Sequence, residues 1–275
     1  MHYENPQVPH EVNVSRESEL GSFFKLIATF GAILTAAFVV IYLAVKFFAP
    51  FIPYSVETAL TENFSSVLQE ELNSMERKAV YELRQLASNL AKSMNAPPDM
   101  PLHVNIIKSG EQNAFASLGG YVFVTSGLLN AVESENGLAM VLAHEIAHVK
   151  NRDPIISAAG SATFSFMTAV VFGSDMSFFE NTVIAATHSS FSKSQEAKAD
   201  KDALLALKNY YGHTFGAEEF FVKSIKNDKF ALKFLSSHPQ IKERIEAILY
   251  TQKSDLQKEL KPLSKAILNI KNIQE

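Results

Sequence analysis

The stretch "HEIAHVKNRD", residues 144 to 153, holds two histidines four positions apart, with a glutamate directly after the first. On a helix, positions i and i+4 share a face, so His144 and His148 can converge on one zinc ion. Zinc lowers the pKa of a bound water towards about 7, and Glu145 lies where it can accept the proton of that water. The pattern therefore predicts metal-assisted hydrolysis, in which Glu145 assists the attack of zinc-bound water on a carbonyl.

A catalytic zinc site needs a third protein ligand, and the chain offers one downstream. A metzincin extension would require Gly at 151 and His at 154, whereas the chain has Asn151 and Pro154. The segment "FSKSQEAKADKDA" supplies Glu196 and Asp200, four apart on a predicted helix. We expect Glu196 to complete a His, His, Glu site with one position open for water. Asp200 is placed to accept the other ring N–H of a zinc histidine.

Two other interpretations of these residues stay open at this point. The histidines could be solvated on a surface helix, but the apolar flank "GLAMVLA" disfavours a surface position. The two carboxylates could form an acidic, solvated helix face.

The elements that must position these residues are predicted from periodicity. The motif lies on a helix over 135–151, and the second ligand helix covers about 191–208. Upstream, 55–95 has apolar residues at helical spacing and predicts one long or two shorter helices. Three strand-like runs follow the break "NAPPDMP": "LHVNIIK" (102–108), "NAFASL" (113–118) and "YVFVTS" (121–126). The predicted fold is mainly α with a small antiparallel or mixed β-sheet (α+β), over residues 55–275.

An apolar segment precedes this domain. The twenty residues from Leu26 to Val45 carry no charge and would form a helix about 30 Å long, the thickness of a bilayer's hydrocarbon core. We predict a transmembrane helix over 22–49 behind an N-terminal tail, 1–21. A cleaved signal peptide would have a shorter apolar region and a less acidic leader. A buried core helix is the other alternative.

Flanking charges indicate the orientation of this helix. Arg16 and Lys25 lie before the span, whereas Lys46 alone lies within about twenty residues after it. This excess of one favours a cytoplasmic N-terminus and a catalytic domain on the periplasmic side of a bacterial inner membrane.

The segment between the two halves of the motif is also apolar. Residues 154–173, "PIISAAGSATFSFMTAVVFG", contain five hydroxyl side chains, and 177–190 include Glu180. Because His148 and Glu196 must meet at one ion, the chain between them crosses the membrane an even number of times. Since 177–190 is too short to span, we expect zero crossings and a helical hairpin over 154–190 near the site.

Composition excludes several function classes. The 275 residues include no cysteine, which excludes disulfides, thiolate zinc sites and cysteine nucleophiles. The net charge is −4, and the isoelectric point is near 6.1, so nucleic acid is not an expected partner.

The combination of motifs resembles a known family. "HEIAHVKNRD" followed by "SKSQEAKAD" is similar to the membrane-associated zinc endopeptidases that include HtpX, BepA and the type I CAAX prenyl proteases. The stretches "NAFASLGGYVFVTSGLL" and "LSSHPQIKERI" are similar to the family's edge strand and its late His-Pro…Arg segment. The resemblance covers about residues 60–250. It implies one zinc ion per chain on His144, His148 and Glu196, with Glu145 as base and Asp200 as a partner of the ligands.

Two further roles follow from these stretches. An edge strand at Asn113, Ala114 and Phe115 could pair with the backbone of an extended substrate, or be an ordinary sheet strand. His238 and Arg244 could stabilise the oxyanion of the tetrahedral intermediate. Alternatively, His238 sits over the zinc and blocks it, or the segment is a structural helix start.

The chain also departs from these relatives. HtpX and the CAAX proteases have several membrane spans, and BepA has a repeat domain after the protease. We therefore expect a singly anchored zinc endopeptidase that cleaves polypeptides of the membrane or envelope, in protein quality control. The alternatives are a catalytically idle, zinc-stabilised chaperone or adaptor and a processing protease for lipidated peptides.

Overall fold

The computed structural model describes residues 18–48, 51–67, 73–161, 191–226, 238, 241–252 and 258–271. It opens with α1 (Glu19–Phe48), a 30-residue helix that contains the predicted anchor. Within these ranges α1 alone is long and apolar enough to cross a membrane, and its most apolar stretch is not buried in the protein. Among the residues that the structure describes, the prediction of one long apolar helix at the N-terminal end is thus confirmed. The hairpin predicted over 154–190 lies mostly outside the described residues.

The rest of the described chain is mainly helical with one small sheet. The helices are α2 (Tyr54–Val67), α3 (Ser74–Ser93), α4 (Ser126–Ala131), α5 (Glu135–Lys150), α6 (Lys193–Tyr211), α7 (Glu219–Lys226), α8 (Ile241–Thr251) and α9 (Lys265–Lys271). A further helical stretch covers 153–161. The strands are β1 (His103–Ile107), β2 (Ala114–Ala116) and β3 (Tyr121–Thr125). The sheet has the order β1-β3-β2, with β1 parallel and β2 antiparallel to β3. The predicted small sheet and α+β class are confirmed, and of the two predicted alternatives, antiparallel or mixed, the sheet is mixed.

The region 55–95 forms two helices, and the local sequence explains the second start. Asn73 caps α3 by accepting hydrogen bonds from the N–H groups of Met75 and Glu76. The Glu76 carboxylate in turn accepts the N–H of Asn73, which completes a capping box. Seven apolar side chains of α3 are buried at helical spacing, so this helix packs one face against the core.

The core is centred on α5. Every residue from 136 to 149 is buried, because α5 packs against α3, α6 and the sheet. The side chains of Leu138, Leu142 and Ile146 are fully buried, each contributing about 1.5–3 kcal/mol of hydrophobic free energy. Ser134 caps the start of the helix by accepting the N–H of Gly137. The motif on α5 is therefore held on a helix whose residues 136–149 are all buried.

Candidate metal centre

The three sequence-predicted ligands meet in the interior. His144 and His148 lie one turn apart on α5, and their Nε2 atoms are 3.0 Å from each other. Glu196 approaches from α6, with Oε2 3.4 Å from Nε2 of His144 and Oε1 3.4 Å from Nε2 of His148. All three side chains are almost completely buried. Two helices far apart in sequence thus place two imidazoles and a carboxylate around one point.

His238 joins the same cluster. Its Nδ1 atom lies 3.0 Å from Oε1 of Glu196 and 3.3 Å from Nε2 of His144. One donor atom from each of His144, His148, Glu196 and His238 lies within 4.8 Å of the other three. Imidazole nitrogens with a carboxylate oxygen suit zinc better than magnesium or calcium, which prefer oxygen ligands. The donor chemistry therefore fits the zinc ion that the sequence predicts.

The outer nitrogen of His144 contacts Asp200, which is itself paired with Arg244. Its Nδ1 lies 2.9 Å from Oδ1 of Asp200, the partner that the spacing suggested. Arg244 donates from Nε and Nη2 to the two oxygens of Asp200, each at 2.7 Å. The Nη1 atom of Arg244 also lies 2.8 Å from Oε2 of Glu196. Arg244 thus connects two carboxylates beneath the cluster, an arrangement typical of a positioning residue; its oxyanion role stays a prediction.

The outer nitrogen of His148 has a partner that the sequence analysis missed. Its Nδ1 lies 2.8 Å from Oδ2 of Asp153, and Gln195 donates to the other oxygen of Asp153 at 2.8 Å. Asp153 is the last residue of the opening stretch, but on a continuous helix it would not face His148. It does so because α5 ends at Lys150 and the backbone reverses at Arg152, whose φ is +65°. Carboxylate partners of this kind orient metal-binding imidazoles.

Glu145 is buried beside the cluster and is held by the sheet. Its Oε2 accepts the N–H of Ala116 at 2.8 Å. Its Oε1 lies 3.4 Å from Nε2 of His238 and has no hydrogen-bond partner in the described part of the chain. Burial raises the pKa of the Glu145 carboxyl, although His238 and His148 act in the opposite direction. A buried carboxylate oxygen without a partner fits a group that accepts a proton.

Electrostatics favour positive charge at the centre. Burial opposes ionisation of Glu196, but hydrogen bonds from three histidines hold its pKa well below the usual range. Burial likewise opposes ionisation of Asp200, whose pKa is nevertheless low because Arg244 and His144 donate to it. Burial would lower the pKa of His148, yet its bonds to Asp153 and Glu196 outweigh that effect and raise it to about 9. The same carboxylates that attract a proton would attract a divalent cation.

The predicted substrate strand lies next to Glu145. Asn113 faces β3, since its carbonyl accepts the N–H of Thr125 and its own N–H reaches the Thr125 hydroxyl, both at 3.0 Å. Because strand residues alternate, the backbone groups of Ala114 and Ala116 point away from β3. The N–H of Ala116 does so towards Glu145. The outer edge of β2 therefore presents Ala114 and Ala116, whereas Asn113 and Phe115 hold the strand to β3.

Residues 77–252 match the sequence model of peptidase family M48. The match covers more than half of the chain. The chain belongs to peptidase family M48. This family assignment confirms the resemblance that the four motifs indicated, and M48 peptidases are metallopeptidases.

Several curated relatives align with the chain. It is 28% identical over 261 residues to an HtpX homolog of Bacillus velezensis, covering 78% of this chain and 85% of that protein. It is 29% identical to the putative beta-barrel assembly-enhancing protease of Vibrio cholerae, over 53% of this chain and 33% of the relative. It is 31% identical to mitochondrial metalloendopeptidase OMA1 of Schizosaccharomyces pombe, over 54% of this chain and 46% of the relative. The chain thus matches less than half of the length of two of these three proteins. Together with α1, these matches support a membrane-associated metalloprotease.

Proposed function

We propose that this protein is a membrane-anchored zinc endopeptidase whose catalytic domain covers 55–275. The observation that carries the proposal is the convergence of His144, His148 and Glu196 in a buried cluster, with Glu145 next to it and fixed to the edge of the sheet. A site with structural zinc only would have no use for a buried carboxylate that leaves one oxygen free. This is why we favour an enzyme over a zinc-stabilised chaperone or adaptor.

In the proposed reaction, bound zinc supplies a Lewis acid and makes water at the site more acidic. The water oxygen forms a bond to the peptide carbonyl carbon, and Oε1 of Glu145 accepts its proton. The proton then passes to the amide nitrogen as the C–N bond breaks, so the products are a carboxylic acid and an amine. The N–H of Ala116 holds the other oxygen of Glu145 during both transfers.

The substrate would bind as an added strand. Backbone groups of Ala114 and the carbonyl of Ala116 face away from β3, so an extended peptide can pair with them beside Glu145, while the N–H of Ala116 stays on Glu145. Main-chain hydrogen bonds contribute affinity without much choice of sequence, which suits a protease for damaged or misassembled proteins. We propose polypeptides of the membrane or envelope as substrates, because α1 would keep the domain at a bilayer. A processing protease for lipidated peptides is the second candidate for the same site.

His238 can assist or block the proposed reaction. Its contacts with Glu196 and His144 place it among the ligand atoms, where it would occupy the position that water needs. This favours blocking, so we expect His238→Ala to hydrolyse peptides faster than the wild type. A slower variant would instead support the oxyanion role predicted from sequence.

The decisive experiment is Glu145→Gln in the full-length protein. Removing a general base costs about 10²–10⁴-fold in rate, so casein hydrolysis should fall by that factor while bound zinc, measured by metal analysis, is kept. The exposed Glu133, paired with Lys223, provides the control: Glu133→Gln should hydrolyse casein like the wild type. Wild-type hydrolysis that survives a chelator, or full activity in Glu145→Gln, would contradict the mechanism.

Orientation needs a separate measurement. We propose a bacterial inner membrane with the catalytic domain on the periplasmic side, on the basis of the charges around α1. The test uses a reporter enzyme that is active only after export from the cytoplasm. Fused after residue 60, this reporter should be active. An inactive reporter would reverse the orientation and leave the mechanism intact.

A further inference from the structure

Arg152, which lies between the end of α5 and Asp153, the partner of His148, is buried and charged. Arg152 has a side-chain exposure of 5%, and its Nη2 atom lies 2.9 Å from Oε1 of Glu57. The same Nη2 donates to the carbonyl of Ile52 at 2.7 Å, and the guanidinium carbon lies 4.0 Å from the centre of the Tyr54 ring. Ile52, Tyr54 and Glu57 belong to residues 51–61, which follow the anchor helix and which we call the juxtamembrane segment. Arg152 is therefore bound by the segment that follows the proposed anchor helix in sequence.

Arg152 also has an unusual backbone. Its φ of +65° lies in the left-handed region, which non-glycine residues rarely adopt. Such a conformation persists where its surroundings hold it. Here the juxtamembrane segment holds the side chain, and the N–H of Arg152 donates to the carbonyl of Val149 at 3.1 Å. The next residue, Asp153, thereby turns back towards His148.

The same segment reaches the sheet. Oε2 of Glu57 accepts the N–H of Gly119 at 3.1 Å, in the turn between β2 and β3. Gly119 has a φ of +70°, and a β-carbon there would clash with the Thr61 hydroxyl. Glu57 thus contacts both the turn after the proposed substrate strand and the residue that precedes Asp153. Burying either Glu57 or Arg152 as an unpaired charge would cost free energy. Their contact is therefore a buried ion pair that each charge needs, and not a surface contact.

We propose that the Glu57–Arg152 pair is a positioning device, by which the juxtamembrane segment holds Asp153 on His148 and so completes the metal site. This inference rests on the proposed function, because it assumes that His148 is a zinc ligand. Neither Glu57 nor Arg152 touches the four donor atoms, so any effect on metal binding must pass through Asp153 and the backbone. The anchor-side segment is then part of the active site, and not only its attachment to the membrane.

The test uses the full-length protein in detergent and measures zinc affinity by competition with a chromophoric chelator. Asp153→Asn should weaken zinc binding about 10–100-fold, as loss of a carboxylate partner of a ligand histidine usually does. Glu57→Gln should weaken it by a smaller factor, on the order of a few-fold. In the double variant, Glu57→Gln should add almost nothing to Asp153→Asn, because both act on the same contact.

A second readout separates positioning from general destabilisation. In cobalt-loaded protein, Glu57→Gln should shift the cobalt absorption bands, which report ligand geometry. The matched control is Val104→Ala, a cavity in β1 on the far side of the sheet, which lowers the unfolding temperature but should leave the cobalt spectrum unchanged. If Glu57→Gln does not fold, Arg152→Lys replaces it, since Lys keeps the charge but lacks the planar fork of Arg.

The outcomes are distinct. Wild-type zinc affinity and an unchanged cobalt spectrum in Glu57→Gln or Arg152→Lys would overturn the proposal. So would a double variant in which the losses from Glu57→Gln and Asp153→Asn multiply. In both cases the wild type would still bind zinc and the proposed function would stand. A wild type that binds no zinc would instead overturn the proposed function itself.

Discussion

His144 and His148 lie one turn apart on the same helix, yet unrelated parts of the chain support them. Asp200 on α6 contacts His144 and is itself bound by Arg244 of α8. Asp153 contacts His148 and receives one hydrogen bond from an uncharged side chain, that of Gln195 at the start of α6. The His144 side therefore depends on a buried ion pair, and the His148 side on a hydrogen-bonded turn. A short motif can thus have two supports with different physical chemistry.

The largest expected effect comes from the residue that both sides share. Glu196→Ala removes a proposed ligand and also the carboxylate that lies 2.8 Å from Nη1 of Arg244. We expect bound zinc and casein hydrolysis to fall to background, and stability to fall by about 3–5 kcal/mol because a buried cation loses a partner. Metal analysis and thermal unfolding measure the two effects.

The control for Glu196→Ala is a glutamate in an exposed ion pair. Glu243 pairs with Lys193 at 2.8 Å at the surface, where such pairs contribute little to stability. Glu243→Gln should keep both zinc and activity. An undiminished amount of bound zinc in Glu196→Ala would show that Glu196 is not a ligand. The His144 and His148 sides would then share no carboxylate ligand.

The next effect is the difference between the two outer carboxylates. Asp200→Asn replaces the partner that receives both bonds from Arg244 by an amide that can accept only with its oxygen. We expect a loss of about 3 kcal/mol in stability together with roughly 10–100-fold weaker zinc binding. Unfolding measured in the presence of chelator gives the loss of stability alone, since zinc then contributes nothing to the free energy of unfolding.

Asp153→Asn should behave differently in the same assay. Its bonds go to the imidazole of His148 and to the side-chain amide of Gln195. In chelator, at a pH above the His148 pKa of about 9, this imidazole is uncharged, so we expect a stability loss of only about 1 kcal/mol there. Zinc binding should still weaken roughly 10–100-fold. Equal stability losses in Asp200→Asn and Asp153→Asn would show that the two supports do not differ in the way the contacts indicate.

Sequence reasoning reached one support and missed the other for physical reasons. Asp200 lies four residues after Glu196, so helical periodicity alone places it near the cluster. Asp153 depends on a chain reversal at Arg152, and nothing in an arginine's identity predicts a left-handed backbone. The Glu57–Arg152 pair joins residues 95 positions apart, and such pairs leave no local pattern.

The fold follows the same division between local and distant interactions. Apolar periodicity, the break after α3 and runs rich in β-branched residues are local signals, and the helices and the small sheet predicted from them are confirmed. The parallel pairing of β1 with β3 was not specified, because strand order depends on contacts across the core. The same holds for the edge of β2, where hydrogen bonding shows that Ala114 and Ala116 face outward.

The smallest expected effect concerns Gln195, which precedes the proposed ligand Glu196. Its side chain donates to Asp153 and also completes the capping box of α6 with Ser192. Gln195→Ala removes the hydrogen bond to Asp153 and a cap contact, so we expect about 1–2 kcal/mol of lost stability and less than tenfold weaker zinc binding. Gln195→Glu keeps the cap contact but puts a second carboxylate against Asp153, so it should weaken zinc binding more than Gln195→Ala does. The reverse order would mean that the cap, and not the bond to Asp153, connects Gln195 to the metal site.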